Sequence, residues 1–146
     1  RGHCYTGGLE LALACDLLIA SETAKFADTH GKWGMTPRWG MSQRLPRRIG
    51  PLKAKEMSFT ARSYNGAEAA AMGLANQCVV DSELEAVVGA MAADIVANSW
   101  HSARGNKMLY NRGQDYTFHD GLAFEMAESP GRSADTEERV KAFSKG

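Results

Sequence analysis

The rhythm of apolar and polar positions changes twice along this chain. Residues 1–6 carry the β-formers Cys4, Tyr5 and Thr6 and read as the end of a strand. Gly7-Gly8 then opens the run 9–15, broken only by Glu10, whose Leu/Ala/Glu composition predicts a helix. Four apolar residues at 17–20, between Asp16 and Ser21, predict a buried strand, and 25–27 a second short one. From Asp28 to Gly40 the chain breaks into loop at Gly31, Gly34, Pro37 and Gly40. Beyond Gly40 the period is helical. A basic amphipathic segment spans 41–49, where Pro46 is expected to shorten or bend it. Pro51 suits the first position of a helix over 51–60. Asn65 caps a helix through Met72 that Gly73 closes. A short strand at 76–80 is followed by a helix at 82–98, with Ser82 and Glu85 at capping-box spacing. Its residues Leu84, Val87, Val88, Met91, Ile95 and Val96 recur at helical intervals. Three further helices are predicted at 99–114, 121–128 and 134–144.

This pattern divides the chain into an α/β part, 1–80, and an all-helical part, 81–146, with more apolar helix than it can bury alone. Composition narrows the function. Hydrophobic residues make up 44% and charged residues 23%, as in a globular domain. Seventeen basic residues balance seventeen acidic ones, which argues against nucleic-acid binding through a phosphate-neutralising face and against docking on anionic membranes. No apolar run approaches the roughly 18 residues of a membrane span, and no secretory pattern is present. Cys4, Cys15 and Cys78 are an odd number at scattered spacings, which suits a reducing, cytoplasmic setting and forms no metal pattern. The 146 residues fit one domain, but the chain opens on Arg1 and runs at once into a dense motif, which suggests a piece of a larger domain.

The segment Gly7-Gly8-Leu9-Glu10 carries the strongest chemical signal. Paired glycines at a strand-to-helix turn let a ligand approach the backbone, and the first N–H groups of a helix lack internal acceptors. Such donors can hold a developing oxyanion. Glu10 in the first turn admits two readings. It complements the helix dipole, or, flanked by Leu9, Leu11 and Leu13, it is a partly desolvated carboxylate suited to proton transfer.

The surrounding residues favour the second. The run Gly7-Gly8-Leu9-Glu10-Leu11-Ala12-Leu13-Ala14-Cys15-Asp16, followed by Ile19-Ala20 and Ala24-Lys25-Phe26, resembles the crotonase superfamily, the enoyl-CoA hydratase/isomerase family. Further matches follow in order: Gly34 with Pro37 and Gly40, Gln43-Arg44-Leu45, Ile49-Gly50, Ala54 with Glu56, Ala67-Glu68-Ala69 and Gly73-Leu74. The resemblance implies the C-terminal half of a spiral of ββα turns, followed by a helical trimerisation region. It implies an acyl-CoA thioester as substrate, no separate cofactor or metal, and a homotrimer or dimer of trimers. The Gly7 N–H would be one oxyanion donor, with Gly8 beside the substrate, and Glu10 would be the acid/base. Phe143 matches an aromatic that touches the nucleotide bound to an adjacent subunit, and Lys145 could reach a phosphate.

The pattern also breaks. Where hydratases of this family carry a second glutamate, this chain has His30, with Asp28 two residues before it. His30 is a base near neutral pH or a loop residue. Its presence puts plain hydration in doubt, makes a single-base double-bond shift a competitor, and leaves open a non-catalytic acyl-CoA-binding or oligomerisation protein. After Pro37, Arg38-Trp39 replaces the small residues common in the family. Trp33 and Trp39 either wall an acyl pocket beside Pro37 or anchor a core or interface. Arg38 either pairs with an acid or is solvated. Arg44, Arg47 and Arg48 form a phosphate patch or a solvated helix face. His3, His101 and His119 stand without partners that would make a site, and Cys15 reads as a buried apolar residue rather than a nucleophile.

Overall fold

The computed structural model describes residues 1–144; Lys145 lies outside them. The chain forms two compact units, Arg1–Gly89 and the remainder from Ala90.

The first unit is built on very short strands. β1 (His3–Tyr5) pairs in parallel with β3 (Lys25–Ala27), and β3 pairs antiparallel with β4 (Tyr64–Asn65), giving the order β1-β3-β4. β2 (Ile19–Ser21) pairs in parallel with β5 (Gln77–Val79) in a second sheet. Helices α1 (Gly7–Leu13), α2 (Met41–Ile49), α3 (Pro51–Thr60) and α4 (Gly66–Ala71) connect the strands. The apolar residues meet in one cluster: Leu9 and Leu13 of α1, Phe26 of β3, Met41 and Leu45 of α2, and Met57 of α3, with Tyr64 and Leu74. Small residues bring the layers close. A Cβ added at Gly66 would lie 2.1 Å from the Ser21 carbonyl oxygen, so only glycine lets α4 start against β2.

Several elements follow from local signals. Pro51 starts α3, and Asn65 caps α4 in a capping box: its side chain accepts from the Glu68 N–H at 2.9 Å, while the Glu68 carboxylate accepts from the Asn65 N–H at 2.8 Å. Pro46 does not end α2, which continues to Ile49; a proline there removes one N–H without preventing the turns on either side.

Several expectations shift, beginning with α1, which runs over Gly7–Leu13 rather than 9–15. The apolar run at 17–20 yields a strand only from Ile19, with Leu17 exposed and Ser21 buried. Asn76 explains the late start: its side chain accepts from the Leu18 N–H at 2.7 Å and its own N–H donates to the Leu18 carbonyl, so an Asn clasp precedes the ladder. The helix expected from Ser82 begins at Leu84, as α5 (Leu84–Ala97), after a 3-10 turn at Asp81–Glu83. Glu85 makes no capping box; it pairs with Arg1, whose guanidinium also donates to the Asp81 carbonyl. None of the α5 side chains is buried in this chain.

In the second unit, α6 (Trp100–Gly113) is capped by Ser99 and α7 (Phe118–Glu128) by Thr117, which starts α7 three residues earlier than the apolar pattern suggested. Buried Phe124 stacks on Tyr116 at 4.9 Å, with the Arg112 guanidinium 5.0 Å from its ring centre. His101 meets the Gly131 carbonyl at 3.1 Å, a partner that the sequence did not suggest. α8 (Thr136–Phe143) ends the described chain with Phe143 almost fully exposed.

Candidate active site

Thr6 sets the geometry at the start of α1. Its φ of 51° is unusual for a residue with a Cβ and stores about 1–3 kcal/mol of strain. Three contacts hold it there. Its N–H donates to the Ala27 carbonyl at 2.9 Å, its Oγ1 accepts from the Thr29 N–H at 3.3 Å, and its hydroxyl is in close contact with that of Thr29. The chain therefore turns sharply from β1 into Gly7. A Cβ on Gly7 would stand 3.1 Å from the Trp39 ring, so the glycine is what admits the indole.

One turn further, Glu10 is almost fully buried. Leu9 and Leu13 are buried beside it, but Leu11 is 64% exposed, so the leucine enclosure expected on both sides is replaced on one by the segment 39–41. Its Oε1 accepts from the Trp39 N–H at 2.9 Å and from the Met41 N–H at 3.1 Å. These donors replace part of the hydration the carboxylate loses. Oε2 faces the His30 Nε2 at 3.9 Å, too long for a direct hydrogen bond.

His30 opens a 3-10 turn, His30–Trp33, directly after β3 and is buried with Asp28. Its Nδ1 lies 2.6 Å from Asp28 Oδ1, which also accepts the His30 N–H at 3.2 Å. The Ser58 hydroxyl on α3 donates to Asp28 Oδ2 at 2.7 Å. Ser58 is a residue that sequence reasoning missed; it is 30 positions from Asp28, and no motif connects them.

Gly7, Glu10, His30, Gly34, Met35, Thr36, Arg38 and Trp39 line an open cavity of about 550 Å³, within the usual range for small-molecule sites. Of the sequence-predicted residues, Gly7, Glu10, His30 and Trp39 come together here. Gly8 and Pro37 adjoin lining residues without lining the cavity, Trp33 is 69% exposed, and Phe143 belongs to the second unit. The basic cluster on α2 is spent on backbone carbonyls: Arg44 on Trp39, Arg47 on Gln43, Arg48 on Cys15 and Leu74. Burial pushes the Cys4 thiol up from its ordinary range, while Cys15, expected to be buried, is exposed. Among the described residues no group of three His, Cys, Asp or Glu is placed to hold a metal ion, and no helix is long and apolar enough to cross a membrane.

A buried carboxylate thus stands opposite an oriented imidazole, at the mouth of a glycine turn in an α/β unit and on the wall of an open cavity. Comparison with known proteins supplies the class. The family description enoyl-CoA hydratase/isomerase matches residues 1–145. The short-chain-enoyl-CoA hydratase of Clostridium acetobutylicum is 36% identical over 143 residues, covering 98% of this chain and 54% of that protein. The crystal structure of an enoyl-CoA hydratase from Bacillus anthracis superposes with a TM-score of 0.93 at 34% identity, over 99% of this chain and 57% of that one. A Thermobifida fusca protein, assigned as an enoyl-CoA hydratase and crystallised with acetoacetyl-CoA, matches with a TM-score of 0.83 at 34% identity, over 88% and 50% of the two chains. The chain belongs to the enoyl-CoA hydratase/isomerase family, the crotonase superfamily. It spans about half the length of the curated relatives it matches.

Proposed function

We propose that this chain supplies the acid/base half of an acyl-CoA enzyme that stabilises a thioester enolate. In this reading the Gly7 N–H donates to the thioester oxygen as negative charge develops there, and Glu10 moves the proton at the neighbouring carbon. The carrying observation is the Glu10 carboxylate, buried yet open to the cavity through Oε2, with His30 opposite. Trp39, with Gly8, Trp33 and Pro37 nearby, would bound the acyl chain, and coenzyme A enters as part of the substrate. Exposed apolar residues on the later helices, including Phe118, Met126 and Phe143, support assembly into a homotrimer or dimer of trimers, with Phe143 reaching a neighbour's nucleotide.

The test is Glu10→Gln in the full-length protein, assayed on a panel of enoyl-CoA thioesters. Glutamine keeps an oxygen for the Trp39 and Met41 N–H groups but loses the proton-transfer group, so turnover should fall about 10²–10⁴-fold. Unchanged turnover would overturn the assignment. His30 in place of a second glutamate favours one other reading, a non-catalytic acyl-CoA binder. That protein would bind coenzyme A thioesters in a calorimeter and turn none of them over.

A further inference from the structure

Behind the candidate site stands a chain of contacts to which the roles proposed for Gly7 and Glu10 give no part. Ser58 on α3, Asp28 after β3, His30 on its 3-10 turn and Glu10 on α1 stand in line, coming from four separate elements. The turn is seated closely on α3: a Cβ at Gly31 would lie 3.3 Å from the Ser58 carbonyl oxygen.

The donors on Asp28 determine which nitrogen of His30 carries a proton. Oδ2 accepts the Ser58 hydroxyl, and Oδ1 accepts the His30 backbone N–H. An ionised carboxylate only accepts. The remaining contact, Nδ1 to Oδ1 at 2.6 Å, is then an Nδ1–H donating to that oxygen. The reverse arrangement would put a hydrogen on the oxygen at which the backbone N–H already points. Nε2 is left as the nitrogen without a hydrogen in the neutral ring, and it is the one that faces Glu10 Oε2. The titratable and charged groups around the ring are Asp28 behind it, Glu10 across from it on α1, and Arg38 on the same cavity wall; α3 contributes the neutral Ser58.

We propose that Asp28 and Ser58 are positioning residues that lock His30 with Nδ1 protonated and Nε2 aimed at Glu10, making His30 the second proton-handling group of the site. The part concerning proton transfer rests on the function proposed above; the part concerning the tautomer does not.

Nitrogen-15 spectra of histidine-labelled full-length protein test the tautomer, with the His30 signals assigned by their loss in His30→Gln. In the neutral ring Nδ1 should carry the hydrogen and Nε2 should be bare. Asp28→Asn should break that pattern, because an amide can present its NH₂ group to the ring and favour the other tautomer. Ser58→Ala should shift it in the same direction by less, and reads the same spectrum should Asp28→Asn fail to fold. A wild-type spectrum with Nε2 carrying the hydrogen and Nδ1 bare would overturn the proposal, as would an unchanged tautomer in either variant.

Turnover of an enoyl-CoA thioester tests the rest. Asp28→Asn should lower kcat about 100-fold with KM nearly unchanged, since the lost interaction acts in the transition state. An unaffected kcat in Asp28→Asn, alongside loss of turnover in Glu10→Gln, would remove His30 from the reaction and leave Glu10 in it. No effect of Glu10→Gln would remove the reaction itself and leave the tautomer result standing.

Discussion

Gly66 shows how little room a single residue can have. It opens α4 immediately after its cap, and the Cβ of any other residue would lie 2.1 Å from the Ser21 carbonyl oxygen and 2.9 Å from the Cys78 sulfur. The first obstacle is backbone, which cannot swing aside. Gly66→Ala is expected to destabilise the first unit by about 1–3 kcal/mol, read as a lower denaturant midpoint with an unchanged slope. Gly7 is a contrasting case. Its nearest obstacle is the ring of Trp39, a side chain that is 63% exposed and able to move. Gly7→Ala should therefore fold with little loss of stability, and the change should show in Trp39 fluorescence and in substrate KM.

At the scale of elements, α4 is a helix of six residues that depends on its ends. Its capping box satisfies two backbone donors reciprocally, and Arg62 reaches the same Glu68 carboxylate from outside. Asn65→Ala should cost about 1 kcal/mol, measured by chemical denaturation. Elements signalled inside their own sequence, such as α3 with Pro51 and α4 with Asn65, were legible beforehand. So was β3, with bounds that match residue for residue. Those that depend on a distant partner were not. β2 is delayed by the Asn76 clasp, and α5 starts late beside Asp81, whose carboxylate accepts from Thr23, and Arg1, which holds Glu85. The site divides the same way. Gly7 and Glu10 sit in one motif and His30 is placed by counting from it. Ser58 and the Trp39 and Met41 N–H groups reach the site from 29 or more residues away, and tertiary contacts of that span leave no periodic trace.

Across the whole molecule, several exposed carboxylates are held below the ordinary carboxylate range. Hydrogen bonds from Thr23 do this to Asp81, the Asn65 N–H to Glu68, Lys53 and then Tyr64 to Glu56, and Ser133 to Asp135. A carboxylate with a depressed folded-state pKa contributes stability above its unfolded pKa and loses it as pH falls through the folded one. The thermal midpoint should therefore hold steady from neutrality to about pH 5 and fall below that as these groups protonate. Melting curves across a pH series check it; a midpoint that rises on acidification would contradict it. Because the groups are solvent-exposed, raising the salt concentration should reduce the effect.

The two oxygens of Glu10 have separate duties. One is committed to holding the segment 39–41 through backbone N–H groups, and the other is left for whatever enters the cavity. Met41 also anchors this wall through its side chain in the core, whereas Trp39 is fastened there by its main chain. Arg38 and Trp39 can be exchanged for other residues without unfastening the carboxylate, and only proline at 39 or 41 would remove a donor. The lining of such a cavity can drift, or be redesigned, while the Glu10 carboxylate keeps its place.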